Sequence, residues 1–159
     1  MLTQIPERPS GHGTSRLRFA IVASSYNAQW VDPMVEAAVA ELSLLEPGSE
    51  TEIYRAPGSF EIPYLTAQVV RVRRPDAILC LGVILDGDTG HASLVAASVS
   101  NELCRISVDS GIPVQHGVLL LKDPSQAEAR CLGSEFNRGT EAARAAVLAL
   151  RETAYLSTV

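Results

Sequence analysis

Gly87-Asp88-Thr89-Gly90-His91-Ala92-Ser93 combines residue types suited to binding an anion and moving a proton. It follows the apolar run Ala77–Leu85 and precedes a long amphipathic segment, 94–108. A glycine-bracketed turn between a buried strand and a helix presents free backbone N–H groups at the positive end of the helix dipole. Imidazole side chains titrate near neutrality, so His91 at this corner could donate or accept a proton beside the bound anion.

Other polar or aromatic residues punctuate the chain where runs of apolar residues end. Tyr26 offers a flat π-face. Asn27 and Glu61 can bind hydroxyls, and Arg130 can neutralise an anion. Each alone is ordinarily a packed aromatic, a helix-start residue or a solvated charge. Together they describe a pocket for an aromatic, polyhydroxylated compound beside a phosphate ester. Competing chemistries lack their signatures. There is no GxGxxG, no P-loop and no GxSxG. His12, His91 and His116 have no acidic or cysteine companions at ligand spacing, so no metal and no cofactor is expected.

The elements that must position these residues follow from the apolar pattern. Arg16 to Ser24, Thr51 to Ala56, Ala77 to Leu85 and Ile112 to Leu121 read as buried strands, the first buried on both faces. Ser25 to Trp30 reads as a polar, aromatic loop. Asp32-Pro33 reads as the N-cap and first position of a helix reaching about Leu45, which Pro47-Gly48 stops. A second helix follows Phe60-Glu61-Ile62-Pro63 and ends near Arg71, Arg73 and Arg74. A third ends near Ser110-Gly111. Asp123-Pro124-Ser125 starts a short helix, Gln126 to about Leu132, and a last one runs from Thr140 to about Tyr155. Parallel buried strands joined by right-handed helical crossovers give a three-layer α/β/α sandwich on a four-stranded parallel, flavodoxin-like sheet. In such sheets ligands bind beyond the carboxyl ends of the strands.

The bulk numbers agree. The chain has 159 residues, 47% hydrophobic and 19% charged, with net charge −5. That is one ordinary globular domain, residues 16–159, after a flexible N-terminal arm, residues 1–15. No basic cluster suggests nucleic acid, and no apolar run suggests a membrane helix or a signal peptide. Cys80, Cys104 and Cys131 lie in or beside apolar runs, as for mostly buried, reduced thiols of a cytoplasmic protein.

A family resemblance now emerges. Ser25-Tyr26-Asn27, Pro57-Gly58-Ser59-Phe60-Glu61-Ile62-Pro63, Cys80-Leu81-Gly82-Val83-Ile84 and Gly87-Asp88-Thr89-x-His91 are its first motifs. Gly111-Ile112-Pro113-Val114, Gln126-x3-Arg130 and Asn137-Arg138-Gly139-x-Glu141-Ala142-Ala143 follow in order. With these motifs the chain resembles the 6,7-dimethyl-8-ribityllumazine synthases of riboflavin biosynthesis from about Leu17 to Leu150. The resemblance implies condensation of 5-amino-6-ribitylaminouracil with 3,4-dihydroxy-2-butanone 4-phosphate. Tyr26 would stack on the pyrimidinedione. Asn27, with Ser59, Phe60 and Glu61, would bind that substrate's ring and ribityl chain. Val83, Ile84 and Leu85 would contact the ring through backbone groups. Asp88 and Thr89 would bind the phosphate, His91 would transfer protons, and Arg130 would neutralise the phosphate. The family's sites lie between subunits of a pentamer or a larger assembly, so His116, Arg130 and Arg138 would come from the neighbour. Riboflavin synthase is the protein partner the resemblance suggests.

The sequence departs from the family pattern in four places. Asp86 stands where arginine is common, and Gly90 replaces a bulkier residue. His116 occupies a position that is usually Phe, and Ser134-Glu135-Phe136 replaces a Lys-Ala-Gly-like stretch. Asp86 and His116 motivate a rival reading as a non-catalytic flavin- or lumazine-binding homologue. A shell protein whose assembly is its function is a second rival.

Overall fold

The structure, a computed structural model, describes residues 5, 7–11, 16–87 and 89–159. Four strands and five α-helices follow in order: β1 (Arg18–Ser24), α1 (Ala28–Leu45), β2 (Glu50–Ala56), α2 (Ile62–Arg73), β3 (Ala77–Leu85), α3 (His91–Ser110), β4 (Val114–Leu121), α4 (Pro124–Cys131) and α5 (Arg138–Leu156). A 3₁₀ turn, Ser59–Glu61, precedes α2.

The sheet order is β2-β1-β3-β4, every pairing parallel. The two strands with the most continuous apolar runs, β1 and β3, are therefore the central ones, buried on both faces as parallel central strands must be. Alternate side chains feed two cores. Phe19, Ile21, Leu79 and Leu81 face α1 and α5, where Met34, Leu42, Ala143 and Val147 meet them. Ala20, Val22, Ile78 and Cys80 face α2 and α3, with Ile62, Val69, Val99 and Leu103. The expected three-layer sandwich is thus the observed one. From β1 the chain goes outward to β2, then crosses to β3 on the other side. The strand order reverses between the carboxyl ends of β1 and β3, where the geometry of such sheets opens a crevice.

Two expectations are corrected. Helix α1 begins at Ala28, four residues before Asp32, and Pro33 lies inside it. Asn27 takes the cap in the left-handed conformation (φ 61°), and its carbonyl accepts from Trp30 and Val31 N–H at 3.0 and 3.1 Å. The extra turn buries Trp30 and Val31, and Asp32 pairs with Arg55 on β2 instead of capping. Cys80 and Cys131 are buried, whereas Cys104 lies exposed on α3. Burial pushes the Cys80 thiol up to about 12, beside a 3.2 Å contact with Thr66 Oγ1.

Of the arm, residues 1–4, 6 and 12–15, His12 among them, lie outside the described residues. Arg8 forks onto the buried carboxylate of Glu41 at 2.8 and 2.9 Å, and Arg144 of α5 meets the same carboxylate at 2.8 Å. Arg151 donates to the Ser10 and Gly11 carbonyls and to buried Glu46. No helix among the described residues is long and apolar enough to cross a membrane.

Candidate active site

Three strand exits meet above the β1–β3 crevice, and the backbone explains how. At the end of β1, Ser25 N–H donates to Ala56 O at 2.8 Å and Tyr26 N–H to Pro57 O at 2.9 Å. These bonds lace the β1 exit to the β2 exit. Asn27 Nδ2 then reaches across to Val83 O at 2.8 Å, lacing it to β3. Tyr26, 68% exposed, lies over Gly58, where a Cβ would stand 2.9 Å from the ring. Only glycine leaves room for the ring at that distance.

At the β2 exit the 3₁₀ turn presses onto β3. A Cβ on Gly82 would stand 2.7 Å from Ser59 Oγ and 3.1 Å from Ile62 Cδ1. Glu61 bends back so that its Oε2 accepts from Gly58 N–H at 2.9 Å. That bond fixes the carboxylate at the mouth of the crevice. Phe60 stands 62% exposed beside it.

At the β3 exit, Asp86 N–H donates to Leu121 O at 2.7 Å, holding β3 against β4 to its end. Gly90 takes a left-handed conformation (φ 68°) and α3 starts at His91 with no side-chain cap. The first-turn N–H groups of a helix are left to solvent or ligand by such a start. His91 itself is exposed at the mouth of that turn. Asp88 lies outside the described residues.

The result is a cleft of about 380 Å³. Tyr26, Asn27, Ser59, Phe60, Glu61, Val83, Ile84, Leu85, Thr89 and His91 all line it. Its walls are apolar and aromatic, and a carboxylate and an imidazole are among its lining groups. No arginine or lysine is among the residues lining it.

The three remaining candidates sit elsewhere. His116 and Arg138 border a separate depression of about 140 Å³ between β4 and α5. Ser100 Oγ lies 2.8 Å from Ala96 O and 2.7 Å from His116 Nε2, so it bridges the α3 backbone and the imidazole. Arg138 pairs with Glu141 one helical turn on. Asn137 starts α5: its Oδ1 accepts from Gly139 N–H at 2.8 Å and its Nδ2 donates to Cys131 O at 2.7 Å. Arg130 lies in the last turn of α4. Burial pushes the neighbouring Cys131 thiol up to about 11, against the opposing pull of Arg130 and Arg138. The two guanidinium groups thus share one neighbourhood, apart from the cleft. Among the described residues no group of three or more His, Cys, Asp and Glu side chains could hold a metal ion.

The family model for 6,7-dimethyl-8-ribityllumazine synthase matches residues 16–153. The chain belongs to the lumazine synthase family. A 6,7-dimethyl-8-ribityllumazine synthase of Deinococcus radiodurans is 38% identical over 143 residues, 88% of each chain. One from Stenotrophomonas maltophilia is 40% identical over 133 residues, 82% of this chain and 84% of its own. One from Chlorobium limicola is 35% identical over 146 residues, 91% of this chain and 94% of its own.

Four further residues line the cleft of this lumazine synthase family member: Gly58, Gly87, Ala92 and Val95. Ala92 and Val95 carry no chemical signal, because an apolar first turn of a helix looks the same whether it faces core or ligand. Gly58 was legible in principle, since Pro-Gly at a strand exit before a helix marks a tight turn.

Proposed function

We propose that this chain condenses 5-amino-6-ribitylaminouracil with 3,4-dihydroxy-2-butanone 4-phosphate to give 6,7-dimethyl-8-ribityllumazine. The amine attacks the ketone and the carbinolamine loses water to form an imine. Elimination then expels phosphate, and the ribitylamino nitrogen closes the ring with loss of a second water. Atoms balance with one phosphate and two waters released, and no redox cofactor is required.

The juxtaposition that supports this reading is Tyr26, Glu61 and His91 lining one cleft. The Tyr26 ring supplies a stacking surface for the pyrimidinedione. Asn27, Ser59, Phe60 and Glu61 bind its ring and ribityl hydroxyls. Val83, Ile84 and Leu85 form the floor. Asp88, Thr89 and the open N-terminus of α3 receive the phosphate. His91, at the same corner, moves protons between the amine, the carbinolamine and the leaving groups. Holding both reactants in one cleft supplies much of the rate enhancement.

The cleft's lining offers the phosphate no guanidinium or ammonium. A second copy would complete it, with Arg130 on the phosphate and His116 and Arg138 beside the ring. A heterologous contact of this kind, in which the cleft of one copy meets the β4–α4–α5 side of the next, gives a ring when its rotation closes, and we assign a pentamer. Riboflavin synthase is the proposed consumer of the product. Three free cysteines suit a reducing, cytoplasmic setting. The continuous cores on both faces of the sheet support reading residues 16–159 as one domain.

Incubating the protein with both substrates and following lumazine absorbance and fluorescence tests the reading. Product formation is expected. Tight binding of a riboflavin analogue without turnover would assign the chain to the non-catalytic alternative.

A further inference from the structure

The structure assigns Asn27 to positioning: its side chain replaces a missing sheet rung and so sets the floor of the cleft beneath Tyr26. The assignment rests on the reading of the cleft as the pyrimidine site. Strand β1 pairs with β3 only as far as Ala23 opposite Leu81. Strand β3 continues four residues further, to Leu85, held on its other side by β4. Beyond Leu81 the lane beside β3 is therefore empty of strand, and the Val83 carbonyl turns into it. Val83 is buried, and a buried carbonyl left unpaired costs about 1–3 kcal/mol. Asn27 Nδ2 fills that place at 2.8 Å.

The residue type follows from two demands at once. The backbone at Asn27 is left-handed, which asparagine and glycine tolerate better than other residues. The side chain must also end in a donor at short reach, which glycine lacks. Asparagine meets both. The same residue directly follows Tyr26, whose N–H donates to Pro57 O, and caps α1 through its carbonyl. One bond thus ties the Val83–Leu85 segment, held on its other side by β4, to the turn that carries Tyr26.

Asn27→Gly keeps the left-handed backbone and removes the side chain, and with it the bond to Val83. Asn27→Asp keeps the size and turns a donor toward the carbonyl into an acceptor. Tm should fall by a few degrees in Asn27→Gly, as the loss of one buried hydrogen bond requires. Hydrogen exchange of peptides covering residues 82–87 should accelerate. KM for the pyrimidine substrate should rise about tenfold in Asn27→Gly and further in Asn27→Asp, while KM for the phosphate substrate stays within about twofold; tenfold corresponds to about 1.4 kcal/mol, within the range of one hydrogen bond. An unchanged KM for the pyrimidine substrate in both variants, or an equal rise in both KM values, overturns the assignment. Should the wild type form no lumazine, the proposed function falls instead. Exchange over 82–87 then decides Asn27 alone: acceleration in Asn27→Gly upholds the positioning role and unchanged exchange refutes it.

Discussion

The two faces of the sheet are finished differently. On one, α1 and α5 close against each other without spare room. Gly139 meets Met34 so closely that a Cβ would stand 1.9 Å from the Met34 carbonyl oxygen. Around this contact Glu41, 5% exposed, is gripped by Arg8 and Arg144. On the other face, α2 and α3 leave a groove of about 420 Å³. Phe60, Pro63 and Tyr64 border it, and Tyr64 is 69% exposed. The groove and the cleft share Phe60. Burial is thus completed within the chain on the α1–α5 side and left open beside the cleft. An apolar surface left open next to the cleft supports the proposal that a second copy completes the site.

This contrast can be broken most forcefully at Gly139. Gly139→Val drives side-chain atoms into the Met34 backbone and should cost about 3 kcal/mol or more by urea unfolding, since helix backbones cannot yield as side chains do. A loss under about 1 kcal/mol would show that the α1–α5 seam is looser than the contact implies. Glu41→Gln is the next step down and should cost about 2 kcal/mol, because it leaves the Arg144 guanidinium without its carboxylate.

Glu41 also gives this face a pH signature. The hydrogen bond from Arg8, reinforced by Arg144, holds its carboxyl below the usual range, against the upward push of burial. A depressed folded pKa contributes stability that is fully present above the unfolded value. That contribution fades as pH falls through the folded value. Wild-type Tm should therefore drop more steeply below about pH 4.5 than that of Glu41→Gln. Parallel acid limbs for the two proteins would remove Glu41 from the account. On the open face, Tyr64→Ser should shift the stability of the isolated chain by no more than about 0.5 kcal/mol, as an exposed substitution does. A loss as large as that at Glu41 would erase the contrast.

The sequence was most readable where one force acts alone. Continuous apolar runs marked β1 and β3 as buried strands, and glycine-bracketed turns placed ligand chemistry at the strand ends. The start of α1 was misread because Asp32-Pro33 satisfies the propensity rules, while the true cap, Asn27, is chosen by a left-handed backbone and a bond to β3 that has no local signature. Cys104 follows an apolar spacing yet lies outside, since α3 is covered on one side only. In the cleft, Tyr26, Glu61 and His91 were legible as polar or aromatic groups where apolar runs end, and Phe60 through the family resemblance. The rung that Asn27 supplies was not legible, because it depends on where one strand stops beside another.

The central claim is that the cleft of one copy is completed by Arg130 of the next. His91→Ala should lower kcat at least a hundredfold, and Arg130→Ala should mainly raise KM for the phosphate substrate. Unfolding the two variants together and letting them reassemble tests the claim most directly. Random assembly pairs an intact His91 with an intact Arg130 at about a quarter of the contacts. Lumazine formation at subsaturating phosphate substrate should then recover to about a quarter of the wild-type rate. Mixtures no more active than the separate variants would place both groups in one chain and contradict the account.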